Sequence, residues 1–216
     1  MKKVISVFII AIILCIVTYN ITKNPKKNIL ALGDGICLAN SIYDVEWHSF
    51  NHYIKDYYHE KKLLNYFNDE FCKSNLTLKE LNTIILENKQ INKQSIQYLL
   101  DNADLLTIAI GFDELKSHSK LTNQIKKDFL NDYAILISNI MDMTNAKILV
   151  IGYYPNYFKD AIEISKKLQA IVENRNLDYI NIEEVSKNKE YFYDINQSNL
   201  NIKGHKEIFN KLVPYL

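Results

Sequence analysis

The sequence predicts an α/β domain built on a parallel sheet covered by helices on both faces, preceded by an N-terminal transmembrane helix. Three observations predict it. The runs from Asn28 to Gly33, Asp104 to Gly111 and Ala146 to Tyr153 are almost continuously apolar, the pattern of strands buried on both faces. Segments with helical periodicity separate these runs, which is the strand–helix alternation of a parallel sheet. The stretch from Val4 to Val17 is apolar on every side, as lipid demands of a helix that crosses it.

The first element in order is the anchor. Lys2 and Lys3 precede the apolar run, and Tyr19 and Ile21 extend it. No small-x-small cleavage pattern follows, and Leu14 before Cys15 fits poorly with a lipoprotein box, so an uncleaved signal anchor is expected. Lysines flank both ends, at Lys2 and Lys3 and at Lys23, Lys26 and Lys27, so their count does not set orientation. The short basic N-terminus resembles a secretory leader, which places the domain outside the cytoplasm. The chain therefore divides into an anchor and juxtamembrane segment, 1–27, and one domain, 28–216.

Within the domain, the strand ending at Gly33 is followed by a predicted helix over about Asp44 to Lys62 and a weaker strand from Leu63 to Phe71. Thr77 and Glu80 form a capping-box pattern ahead of Leu81, Ile84 and Ile85. A short helix is predicted from Gln94 to Asn102, then the strand from Asp104. A long helix over about Leu121 to Met143 leads to the strand from Ala146. Helix from Ile162 to Asn174, strand from Asp178 to Ile182 and helix from Lys203 to Leu212 complete the series. In such sheets ligands bind beyond the carboxyl ends of the strands, which directs attention to the loops after Leu32, Ile110, Ile151 and Ile182.

Composition excludes several classes. The 216 residues suit one well-packed domain, and 48% hydrophobic with 24% charged residues excludes a disordered chain. Lys+Arg 26 against Asp+Glu 25 leaves a net charge of +1, and Arg175 is the sole arginine, which speaks against nucleic acid as a partner. The richness in Lys, Asn and Ile is the bias of an AT-rich bacterial genome. Three cysteines without CxxC spacing make neither a disulfide framework nor a zinc site, and no metal or cofactor is expected.

The loops carry a resemblance. Ile29 to Gly35 (ILALGDG) resembles the first block of the SGNH/GDSL hydrolases, a strand leading into Gly-Asp-Ser. Leu105 to Leu115 (LLTIAIGFDEL) resembles their third block, a strand leading into Gly-x-Asn-Asp. Asn196 to Asn199, followed by Gly204-His205, resembles their last block, Asp-x-x-His before a helix. The resemblance spans about Asn28 to Leu216. It implies a flavodoxin-like three-layer α/β/α sandwich with a five-stranded parallel sheet, and the chemistry of esterases, lipases and carbohydrate deacetylases. That chemistry needs a serine nucleophile, a histidine base oriented by an aspartate, and an oxyanion hole to which a glycine N–H and an asparagine amide contribute.

Carried over position by position, those groups are replaced. Gly35, after Asp34, holds the serine position and has no side chain to attack. Asn199 holds the histidine position and cannot act as a base near neutral pH. Asn196 holds the aspartate position and supplies no charge. Asp113, after Gly111, holds the oxyanion asparagine position, an acceptor where a donor is needed. The second-block region, Asn68 to Leu76, contains no glycine. Four simultaneous losses on a retained scaffold point to an inactive relative. Asp34, Gly35, Gly111, Asp113, Asn196 and Asn199 are then the degenerate positions expected to line the pocket.

Other candidates have plainer alternatives. His48 and His52 lie i, i+4 with His59, Asp56 and Glu60 nearby, but without the HExxH pattern they read as an ordinary polar face. His205 stands where the family usually has a structural residue, and Ser198, with no identifiable base, reads as a cap. In the implied fold, Cys37 and Cys72 fall on loops of the same rim, where a disulfide across the pocket is geometrically conceivable; two partly buried free thiols are the alternative. Tyr57-Tyr58, Tyr153-Tyr154 and Tyr191-Phe192-Tyr193 are either sugar-stacking platforms or core.

The function expected is that of a single-pass protein of a bacterial cell membrane, with an inactive SGNH-like domain binding a glycan, lipid or protein of the envelope. Two alternatives stand beside it. One is an active esterase on acylated envelope glycans or lipids with a reassigned site; the other is a structural subunit of an envelope assembly.

Overall fold

The structure, a computed structural model, describes residues 25–38, 48–118, 120–155, 160–193 and 199–216. The expected anchor helix lies outside them; among the described residues, no helix is long and apolar enough to cross a membrane.

Five strands form one parallel sheet in the order β2-β1-β5-β6-β7: β1 Lys27–Gly33, β2 Leu64–Cys72, β5 Leu105–Ala109, β6 Lys147–Ile151 and β7 Asp178–Ile180. Their apolar runs are explained by position. β1 and β5 lie inside the sheet, and Leu30, Ala31, Leu32, Leu106, Ile108 and Ala109 are at most 2% exposed. In register, Ile29 to Gly33 of β1 pair with Leu105 to Ala109 of β5, while Gly33 also meets Cys72 of β2. The two strands whose loops carry the first and third blocks therefore end side by side.

The helices are α1 Gly35–Leu38, α2 Phe50–Glu60, α3 Leu78–Leu86, α4 Ile96–Asn102, α5 Phe112–Ser117, α6 Asn123–Met141, α7 Ala161–Glu173 and α8 Ile202–Leu212. The chain steps one way from β1 to β2 and the other way from β2 to β5, so right-handed crossovers put the intervening helices on opposite faces. The packing agrees: α2 meets α8, whereas α3 meets α6 and α6 meets α7. The result is the three-layer α/β arrangement.

Local chemistry sets the boundaries. α2 begins at Phe50 because Ser49 caps it: the Ser49 hydroxyl accepts from the His52 N–H at 3.4 Å, and the His52 ring accepts from the Ser49 N–H at 3.1 Å. The part of the predicted helix before residue 48 lies outside the described residues. α3 carries the predicted Thr77–Glu80 capping box. Thr122 caps α6 through the Ile125 N–H at 3.2 Å. β7 ends at Ile180, earlier than the sequence predicts, because the Asn181 side chain accepts from the Glu183 N–H and turns the chain into a 3₁₀ helix, Glu183–Lys187. The four-residue α1, the six-residue α5 and the two-residue strands β3 Gln90–Ile91 and β4 Gln94–Ser95 escape sequence reading because none spans enough residues to show a period.

Candidate functional site

The carboxyl ends of β1 and β5 are pressed together at Gly33. A Cβ there would lie 1.9 Å from the Ala109 carbonyl oxygen, so the residue has to be glycine. Immediately beyond, the Asp34 N–H donates to the Ala109 oxygen at 3.0 Å and the Lys73 N–H donates to the Gly33 oxygen at 2.9 Å. These bonds draw the loops after β1, β2 and β5 onto one rim.

Two carboxyl groups organise that rim. Asp34 is fully buried. Its Oδ2 accepts from the Asp113 N–H at 3.0 Å and its Oδ1 from the Ile36 N–H at 3.4 Å. Burial, then the negative charge of Asp113, raises the Asp34 carboxyl well above the ordinary carboxylate range, and the backbone donors only partly offset this. Asp113 reaches back across the rim, and its Oδ2 accepts from the Gly35 N–H at 3.0 Å and the Asn75 N–H at 2.9 Å. The two aspartates thus clasp reciprocally, each taking a backbone N–H from the other's loop.

The aspartate at the expected oxyanion position therefore faces the N–H of the expected serine position and closes on it. The partner N–H from the second-block region belongs to Asn75, whose φ of 61° is left-handed. Asparagine tolerates that conformation better than most residues, so the turn forms in a region that contains no glycine. Gly35 is tightly placed as well: a Cβ there would lie 2.8 Å from the Asp113 Oδ2. Gly111 has a φ of 93°, and an added Cβ would meet the Phe129 ring at 2.4 Å. Glu114 accepts from the Leu78 N–H at 2.9 Å, tying the same loop to the start of α3.

Cys37 of α1 and Cys72 at the end of β2 are joined by a disulfide, with Cα atoms 5.5 Å apart. Asn51 braces it, donating to the Cys37 carbonyl at 3.2 Å while accepting from the Thr107 hydroxyl at 2.7 Å. The disulfide binds the first-block and second-block loops behind the aspartate clasp.

The last block is only partly described. Asn196 and Ser198 lie outside the described residues. Asn199 is exposed, and its carbonyl accepts from the Tyr193 N–H at 3.0 Å. Asn201, which sequence reading passed over, caps α8 through the Gly204 N–H at 3.1 Å. His205 lies inside that first turn, 3% exposed, facing Phe50 with ring centroids 6.2 Å apart. Its Nδ1 has no hydrogen-bond partner among the described residues. Burial, then His52 and His48, pushes its pKa down to about 3, so it is a neutral core imidazole.

The other candidates are absorbed locally. His48 pairs with Asp56 at 3.0 Å and His52 with Asp69 at 3.3 Å, while His59 is exposed. No group of three or more His, Cys, Asp or Glu side chains able to hold a metal comes together among the described residues. Tyr153 and Tyr154 turn inward, at 0% and 1% exposure, and pack on Phe112; the Tyr153 hydroxyl donates to the Ile110 carbonyl at 2.8 Å. Tyr58 and Phe192 are buried too, so these members of the aromatic groups are core and not sugar platforms.

At the level of sequence, no family model matches the chain and no curated protein is significantly similar. Solved structures are similar in fold. A member of the lipolytic G-D-S-L family from Veillonella parvula superposes with a TM-score of 0.62 at 12% identity, covering 86% of this chain and 96% of that one. A catalytic mutant of Axe2, an acetylxylan esterase from Geobacillus stearothermophilus, gives 0.67 at 11% identity, covering 88% and 94%. The psychrotrophic esterase EstA from Pseudoalteromonas sp. gives 0.60 at 15% identity, covering 86% and 94%. These neighbours match most of this chain and nearly all of their own length, and this chain adopts the fold of the SGNH/GDSL hydrolases.

Proposed function

We propose that this chain is a catalytically silent SGNH-like domain, tethered to a bacterial membrane and exposed outside the cytoplasm, where it binds a component or partner of the cell envelope. The observation that carries the silent reading is the seat of Asp113. Its carboxylate accepts from the N–H of Gly35, at the serine position, and from that of Asn75. A tetrahedral oxyanion would need such donors, and here they already serve an anion of the protein itself. No hydroxyl is present at Gly35, and the neutral, buried His205 is not a substitute base. The tether rests on Lys2, Lys3 and the apolar run that follows. The Cys37–Cys72 disulfide supports an oxidising, extracytoplasmic location.

The test is an esterase assay on the full-length chain in detergent, with short acyl esters and acetylated glycans. The native chain is expected to give no turnover. Restoring Gly35→Ser, Asn196→Asp and Asn199→His should leave it inactive, because the Asp113 carboxylate still takes the N–H groups that an oxyanion would need. Adding Asp113→Asn, which replaces an acceptor with an amide able to donate, is expected to give measurable hydrolysis. Turnover by the native chain would overturn the silent reading.

A further inference from the structure

At the other end of the sheet, some six residues back along β1 from Asp34 and so ~20 Å away, lies an open cleft of about 420 Å³. Its volume is in the usual range of small-molecule sites, roughly 300–1,000 Å³. Asn28, Ile29 and Leu30 of β1, Asn65 and Tyr66 of β2, Gln94 of β4, and Tyr98, Leu99, Asn102 and Ala103 line it. In a chain with 24% charged residues, none of these lining side chains is charged. The polar groups are carboxamides and phenols, set against the buried side chains of Ile29, Leu30 and Leu99.

The amides hold one another in place and keep part of their hydrogen-bonding capacity. Asn65 donates to the Asn28 side-chain oxygen at 2.8 Å, and Asn28 donates to the Asn102 carbonyl at 2.8 Å. Asn102 in turn donates to the Tyr98 carbonyl at 2.8 Å. Tyr66 donates to Gln94, whose oxygen also accepts from Asn68 at 3.3 Å. Each amide has two donors and an acceptor oxygen with two lone pairs, so this network leaves the side-chain oxygens of Asn65 and Asn102 and the Gln94 nitrogen open to a ligand. Tyr98 lines the same space while 61% exposed, the largest exposure among the big hydrophobic side chains described.

We propose that this cleft binds a neutral saccharide. Fixed carboxamides match the paired donor and acceptor character of vicinal hydroxyls, and an exposed phenol ring gives the apolar face of a pyranose something to pack on. The absence of charge selects against anionic and cationic ligands, which would leave their charge unpaired on entry. The site does not depend on the carboxyl-end rim being silent, since the two share no residue.

The experiment uses the full-length chain in detergent and three neutral disaccharides, N,N′-diacetylchitobiose, cellobiose and xylobiose, followed by saturation-transfer NMR and titration calorimetry. At least one is expected to bind saturably, with a disaccharide of glucuronic acid weaker than its neutral counterpart. Tyr98→Ala is expected to weaken binding by about tenfold and Asn65→Ala by several-fold, with unchanged circular dichroism. Absence of saturable binding for all three disaccharides overturns the proposal. So does binding that both substitutions leave intact, which would place the sugar on another surface. Esterase activity is read separately, so failure at this cleft is distinguishable from failure of the silent-rim reading.

Discussion

The two ends of the sheet use their polar groups in opposite ways. At the carboxyl end, Asp34 and Asp113 direct their oxygens at backbone N–H groups of neighbouring loops, and a disulfide closes behind them. At the amino end, Asn65 is tied to Asn28 and Gln94 to Tyr66, yet these side chains still border open space. The carboxyl-end rim is a clasp that joins three loops. The difference teaches that the same sheet can turn its polar groups inward at one end and outward at the other: at the carboxyl end the Gly35 and Asn75 N–H groups take an internal partner in Asp113.

If the carboxyl end is mainly a clasp, breaking it should show first in stability. The disulfide encloses a sequence separation of 35. Loop-closure entropy of that length corresponds to about 3–4 kcal/mol. Replacing Cys37 and Cys72 together by serine is expected to lower unfolding free energy by roughly that amount in urea titrations. A loss below ~1 kcal/mol would show that the hydrogen bonds alone hold the rim.

His205 sharpens the same contrast through pH. Its pKa falls from an ordinary 6.5 to about 3 in the folded chain, first through burial and then through His52 and His48. Below pH 6.5 the unfolded chain gains a proton that the folded chain refuses, so this stability is complete above 6.5 and is lost as pH falls towards 3. A full proton corresponds to about 1.4 kcal/mol per pH unit, or about 2 kcal/mol between pH 6.5 and 4.5. Asp34 has the opposite sign: its raised pKa contributes stability at low pH that is lost as pH climbs past the unfolded value of 3.8. The measurement is therefore a difference. Unfolding free energy of the native chain minus that of His205→Phe should fall on acidification, and a flat difference would mean that the imidazole titrates normally.

Much of this architecture is legible in the sequence. The strands at Ile29, Leu105 and Lys147 are read correctly because double-sided burial leaves unbroken apolar runs. Thr77 with Glu80 marks a helix start through the same bonds the structure contains. The site is less legible. That Asp113 is electrostatically wrong for an oxyanion hole follows from its type, but that it closes on the Gly35 N–H depends on how α5 aims it. Asn75 carries no motif, and its left-handed turn is visible only in the backbone. Tyr153 and Tyr154 follow a strand end, where the sequence leaves sugar platform and core both open, and only the packing of Phe112 and Phe129 against them decides for core. The amino-end cleft has no sequence signature at all, because Asn28, Asn65 and Tyr98 meet only through the register of β1 and β2 and the placement of α4.

The smallest expected effect isolates the cleft from the scaffold. Tyr98 is 61% exposed, and its ring contributes little to the core. Tyr98→Ala and Asn65→Ala are each expected to change unfolding free energy by less than about 0.5 kcal/mol, the usual range for surface positions. Their effect on disaccharide binding should be far larger in proportion, which is the signature of side chains placed for a ligand. A loss of ~2 kcal/mol or more in either variant would reverse the comparison. It would show the cleft side chains at the amino end helping to hold the fold together, as the aspartate clasp does at the carboxyl end.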